Sequence, residues 1–224
     1  QNGVTSTSGQ IGAQAMTFDG TDDRVILNSF SHNIGAGDFT WSAWVYPRRV
    51  DANYDGIMSV GSYAPNMALK VGPGSNNWGA YWGGELPSGN TLSTNQWHHL
   101  VFQREGTTIR FYQNGVQTSR THTAGTAIAN TNFQIGYNGN TQYMNGNVDD
   151  VRIYNRALSA SEISELYAFT GGGGGSTPSP VNGVCGSTVN SCTIGSLSDT
   201  ADTSTENLWS CTGSNGGTTA SCSS

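Results

Sequence analysis

The sequence predicts an all-β chain: a two-sheet antiparallel sandwich of jelly-roll type with a short C-terminal helix, followed by a small disulfide-stabilised, β-rich module. Three observations carry this expectation. The 224 residues include 31 Gly and only 11% charged residues, a composition of short strands and tight turns rather than of helices. Short apolar runs bounded by Gly, Asn or Pro recur at sandwich-like spacing. All four cysteines fall after residue 184, behind the run Gly171–Gly175.

Each element has its own signal. "TWSAWVYPRRV" alternates with period two, placing Trp41, Ala43 and Val45 on one side and Thr40, Ser42, Trp44 and Tyr46 on the other. Apolar on both faces, it must lie inside a sandwich or line a groove. "GIMSVGSYA", "NMALKVGPG", "NWGAYWGGE", "QWHHLVFQREG", "NFQIGYNG" and "VDDVRIYN" are further short β runs. "TTIRFYQNGVQTSR" is a hairpin whose Asn114-Gly115 pair supplies the two positive φ values of a type I′ turn. "SASEISELY" has Ser159 at an N-cap and Glu162 three residues on, a capping box, with Ile163, Leu166 and Tyr167 on one face. The five glycines and the prolines Pro178 and Pro180 mark a boundary, giving a sandwich over residues 1–169, a linker over 170–180 and a small module over 181–224.

The totals exclude several classes of function. A net charge of −6, with only nine Lys plus Arg, gives little with which to neutralise phosphates, so nucleic acid is not an expected partner. No apolar run reaches the length of a membrane span, so no direct membrane insertion is expected, and no signal-peptide pattern opens the chain. The even cysteine count in a Gly/Ser/Thr-rich tail predicts disulfides, and with them an extracellular or cell-surface location. Of three possible pairings, the nested one, Cys185–Cys222 around Cys192–Cys211, ties the tail's ends together and holds Trp209 beside the inner bridge.

Five stretches, "MTFDGTDDRVIL", "DFTWSAWVYP", "NQWHHLVFQREGTTIRFYQNGVQ", "FQIGYN" and "GNVDDVRIYNRALSASEISELY", resemble, in order, the laminin-G-like domains of the concanavalin A-like jelly-roll superfamily in the form common in bacterial secreted proteins. The tail, with "NGVCG" and "SNGGTTASC", resembles small Cys-containing repeats at the ends of bacterial surface proteins. The resemblance implies a non-catalytic recognition or adhesion module, often with one structural Ca2+, and a glycan or cell-surface component as partner. It also implies that the acid at Asp149 helps hold that ion, a hard cation needing six to eight oxygens. The bland alternative is a solvated strand end with Asp150 paired to Arg152 or Arg156.

The most ligand-like stretch is "SNNWGAYWGG". Trp78 and Trp82 share a strand face, Tyr81 lies opposite, and Asn76 and Asn77 precede them, a set suited to a sugar's apolar face and hydroxyls. The competing reading makes that face sandwich core. "DGTDD" at Asp19–Asp23 lacks the sixth-position Gly and distal Glu of an EF-hand loop and reads as a turn. Trp97 is expected to be buried, and of His98 and His99 one is expected to pack and one to face solvent.

No catalytic activity is expected. The glucanases of the resembled superfamily carry carboxylates in a Glu-x-Asp-x-x-Glu type run; here Glu85 stands alone, Glu162 and Glu165 sit on the helix, and no Ser–His–Asp or Cys–His pattern appears. A rival expectation is a structural subunit. The aromatic opening strand and acidic turn of such domains do not appear ahead of "FDG", and the gap could be filled by the chain's own "NGVTSTSG", by the tail, or by a neighbouring subunit, the last two routes giving self-association into a polymer.

Overall fold

The computed structural model describes residues 3–28, 37–50, 54–61, 67–72, 77–125, 132–139, 142–169, 182–203, 205–213 and 218–224. Period-two alternation turns the first part of the chain into thirteen strands: β1 (Thr5–Thr7), β2 (Ala15–Asp19), β3 (Val25–Leu27), β4 (Phe39–Pro47), β5 (Asp55–Val60), β6 (Met67–Val71), β7 (Asn77–Tyr81), β8 (Glu85–Thr91), β9 (His98–Glu105), β10 (Thr108–Gln113), β11 (Val116–Thr123), β12 (Phe133–Ile135) and β13 (Asn145–Tyr154). They form two antiparallel sheets, one of seven strands in the order β1-β2-β13-β4-β9-β10-β11 and one of six in the order β3-β12-β5-β6-β7-β8.

The inward-pointing residues of both sheets make one core. Trp41, Ala43 and Val45 of β4 meet Met58 and Val60 of β5, Met67, Leu69 and Val71 of β6, and Phe102 and Phe111 of β9 and β10. Trp41 packs edge-to-face on Phe102 and Phe133 at 5.7 and 5.4 Å. The β10–β11 hairpin turns at Asn114 and Gly115, with φ of 53° and 80°, as the Asn-Gly pair predicts.

The second side of β4 is apolar because a helix covers it. Helix α1 (Ala160–Ala168) starts from Ser159, whose side chain accepts the N–H of Glu162 while the Glu162 carboxylate accepts the N–H of Ser159, the predicted capping box. Ile163 and Leu166 pack on Val101, Tyr112 and Leu158, and Tyr167 stacks on Trp44 at 5.5 Å. A buried clamp fixes the approach to the helix. Thr40 Oγ1 donates to the Arg156 carbonyl (2.9 Å) and accepts the Leu158 N–H (3.1 Å), and Gln103 Nε2 donates to the Leu158 carbonyl (2.7 Å).

The edge beside β2 is filled from within the chain: Thr5, Ser6 and Thr7 pair with Thr17, Met16 and Ala15. This is the first of the three anticipated fillings: the chain's own start occupies the place beside β2, and β1 becomes the edge of the sheet. Two other expectations are corrected. His98 and His99 are both buried, because His98 Nε2 is held by the Ser93 carbonyl at 2.9 Å while His99 lies under α1. Trp97 is half-buried rather than buried, packed on Tyr46 at 5.5 Å.

The chain divides into two compact units, Gln1–Gly171 and Gly172–Ser224. The second contains β14 (Val184–Cys185), β15 (Cys192–Ile194), β16 (Ser196–Thr200), β17 (Leu208–Thr212) and β18 (Ala220–Ser223), with β14 paired to β15 and β17 between β16 and β18. The nested bridges Cys185–Cys222 and Cys192–Cys211 are formed. They surround Trp209, the one large buried side chain among the described residues of this unit, whose Nε1 donates to the Ser191 carbonyl at 2.8 Å. So few apolar residues explain the dependence on covalent links.

Candidate functional site

The two tryptophans of the expected sugar platform point inward. Trp78 is 1% exposed and Trp82 5%. Trp78 packs edge-to-face on Phe111 (5.5 Å) and donates its Nε1 to Gln113 Oε1 (2.9 Å), and Trp82 lies 5.8 Å from Phe39. The reason is register: Val71 pairs with Trp78 and Leu69 with Ala80, so this side of β7 continues the core side of β6. The platform reading of Trp78 and Trp82 is therefore corrected to core. Asn76 and the side chain of Asn77 lie outside the described residues.

The opposite side of β7 is different. The same register sets Lys70 beside Gly79 and Ala68 beside Tyr81, and β8 sets Glu85 beside Tyr81. Lys70 Nζ lies 2.7 Å from Glu85 Oε1, 3.5 Å above the centre of the Tyr54 ring and 5.6 Å from that of Tyr81. The lysine side chain is 5% exposed but its partner Glu85 is 47% exposed, so the pair runs from the sheet surface out to solvent. Burial lowers the Lys70 ammonium pKa, against the pull of Glu85. Burial first, then the Glu85 charge, raises the Tyr54 phenol. Gly79 lets the β8 backbone close in, since a Cβ there would collide with the Leu86 carbonyl, and a depression lined by Lys70, Gly72, Glu85, Leu86 and Pro87 lies beside them. Two aromatic faces, a cation and a carboxylate thus converge on one spot; Tyr81 was anticipated there, whereas Tyr54, Lys70 and Glu85 were not. The available signal was a lone lysine in the apolar run "MALKV" and a lone acid beyond it.

Asp149 lies on the helix-covered side of the seven-stranded sheet, paired with Trp44. Its Oδ2 accepts the Ile11 N–H (2.8 Å) and its Oδ1 accepts the Asp150 N–H (2.7 Å). A Cβ at Gly9 would stand 2.7 Å from Oδ2, so glycine there lets the 9–11 segment close over the acid. Donors rather than further oxygens meet this carboxylate, and among the described residues no group of three acidic, His or Cys ligands includes it. The residues present do not fit a calcium ion at Asp149; they fit an anchor for the chain's first segment. Asp150 pairs with Arg152 at 2.9 Å, as the alternative reading holds. A bulge between Asp149 and Arg152, with Asp150 at φ 45°, breaks the simple alternation of the two acids.

One Ser–His contact exists that no sequence pattern announced: Ser42 Oγ and His99 Nε2 are 2.8 Å apart. Both residues are buried beneath α1, and His99 Nδ1 has no partner, so no carboxylate orients the ring.

A family model described as the concanavalin A-like lectin/glucanases superfamily, of laminin-G type, matches residues 19–164, and the chain belongs to this family. No curated protein sequence matches it. Solved structures share the fold at low identity. Domain 4 of AbnA, an extracellular arabinanase from Geobacillus stearothermophilus solved with arabinotriose, is 23% identical over 75% of this chain and 82% of that one, with a TM-score of 0.57. Trypanosoma rangeli sialidase is 17% identical over 76% of this chain but only 30% of its own, with a TM-score of 0.56. A heptameric pentraxin from Limulus polyphemus is 15% identical over 69% of this chain and 82% of that one, with a TM-score of 0.54.

Proposed function

We propose that this chain is a non-catalytic carbohydrate-recognition module, and that it holds its ligand on the outer face of the six-stranded sheet through Tyr54, Lys70, Tyr81 and Glu85. The observation that carries the reading is the Lys70–Glu85 pair set between two tyrosine rings beside an open depression. The Tyr81 ring offers a flat surface to the apolar face of a sugar, while the exposed Glu85 carboxylate, held in place by Lys70 on the Tyr54 ring, accepts from its hydroxyls. The arabinotriose complex of a similar fold is consistent with a glycan ligand. The two disulfides favour an oxidising compartment, and work outside the cell or on its surface is part of the proposal. The Ser42–His99 contact is too enclosed to reach a substrate, which favours binding over hydrolysis.

A glycan array probed with the full chain, followed by affinity electrophoresis in the retaining polysaccharide, tests this. Tyr81→Ala and Lys70→Met are expected to lose retention while keeping the wild-type melt. Trp82→Ala is expected instead to destabilise the fold by roughly 3–5 kcal/mol. Retention unaffected by both surface substitutions would remove the site.

A further inference from the structure

The turn that closes β2 carries three carboxylates, from Asp19, Asp22 and Asp23, whose oxygens come within 4.8 Å of one another. Asp23 is 3% exposed. Its Oδ2 accepts the Asp19 N–H at 3.0 Å, and its Oδ1 has no hydrogen-bond partner. A Cβ on Gly3 would stand 2.7 Å from that same Oδ1, so only a glycine leaves the space beside it. A buried carboxylate oxygen without a partner is costly unless something neutralises it. Burial raises the Asp23 carboxyl above its usual range; the Asp19 amide opposes this, and the charges of Asp19 and Asp22 add to it.

A proton or a cation could relieve this arrangement. A proton serves Asp23 alone, whereas a divalent ion draws the three carboxylates together and gives the orphan oxygen a ligand. We propose that Asp19, Asp22 and Asp23 hold a divalent cation, and that Ca2+ is the ion the site suits. The donor set is all oxygen, with no thiolate or imidazole in it, which disfavours zinc. Asp19 and Asp22 are exposed and can adjust to the wider, less regular shell of calcium, with water and backbone carbonyls completing it. The turn itself is preset: Thr21 N–H donates to Asp19 Oδ1 at 2.7 Å and Asn145 Nδ2 donates to the Asp19 carbonyl at 3.3 Å.

The test uses the full chain, stripped of metal, in calorimetric titration with CaCl2 and in thermal melts with CaCl2 or EDTA. A saturable heat and a calcium-dependent rise in Tm are expected. Asp19→Asn and Asp22→Asn should each weaken calcium binding at least tenfold, while Asp149→Asn leaves the affinity unchanged. Asp23→Asn keeps an acceptor for the Asp19 amide but removes the orphan charge, so it should melt higher than wild type in EDTA and gain nothing from calcium. Identical wild-type melts in calcium and EDTA with no saturable heat would overturn the site. So would binding abolished by Asp149→Asn and untouched by Asp22→Asn. An equal response to MgCl2 would overturn the choice of ion.

Discussion

On the seven-stranded sheet the outward row Trp44, His99, Val101 and Tyr112 lies under α1, while at the β7–β8 end of the six-stranded sheet the outward residues Tyr81, Glu85 and Pro87 reach solvent. Both faces arise from the same strand alternation. They differ in what stands at the outward positions: on β4 and β9 Trp44, His99 and Val101 lie buried beneath the helix, whereas along β7 and β8 Tyr81, Glu85 and Pro87 keep contact with solvent. The proposed ligand site rests on this difference, because only the β7–β8 end leaves an aromatic ring and a carboxylate in contact with solvent.

The largest test of this contrast removes the cover. Ile163→Ala empties a fully buried site beneath α1 and is expected to destabilise the sandwich by roughly 2–5 kcal/mol, read from urea unfolding followed by tryptophan fluorescence. A loss below half a kcal/mol would mean that the helix is not needed where it sits.

A somewhat smaller effect comes from acid. His99 is packed against Trp44, Tyr167 and Ser42, with Arg152 the charged group that acts on it. Burial first, then the Arg152 charge, depresses its pKa from 6.5 to about 4. The folded state thus keeps the ring neutral where the unfolded chain takes up a proton. Stability from this group is complete above pH 6.5, falls as the pH drops from there through about 4, and is then level. The span is about 3 kcal/mol. His99→Gln should flatten that part of the stability–pH curve; a variant with the wild-type slope would show that another group is responsible.

The smallest effect belongs to the open face. Lys70→Met replaces a charge pair by an apolar side chain of similar length and should change stability by less than about 1 kcal/mol in either direction. Glu85→Gln should cost more than Lys70→Met does, because it leaves the ammonium with a weaker partner; the reverse order in thermal melts would argue against the pair as described.

Much of this contrast could be read from the sequence. The double-sided apolar pattern of β4, the Asn114-Gly115 turn and the Ser159–Glu162 cap depend on local chemistry, so the residues announce them; the four cysteines announced two bridges, while the nested pairing was one choice among three. The polar site could not be read, because Tyr54, Lys70, Tyr81 and Glu85 meet only through the register of β6, β7 and β8. The inward turn of Trp78 and Trp82 was equally hidden: an aromatic pair at i, i+4 on a strand has the same spacing on either side of a sheet. Asp149 illustrates a third limit. Its partners, Ile11 and Asp150, are a backbone amide far away and one next door, and backbone donors leave no mark in side-chain patterns.

The nested bridges of the second unit have a consequence for proteolysis. A cut between Cys185 and Cys192, or between Cys211 and Cys222, leaves the two pieces joined through the outer bridge, and a cut between Cys192 and Cys211 leaves them joined through both. No single nick inside this span can therefore release a fragment under oxidising conditions. A protease that sheds the unit in one step must cleave ahead of Cys185, on the side where the sequence carries its run of glycines, and the released piece would leave with its cross-links intact.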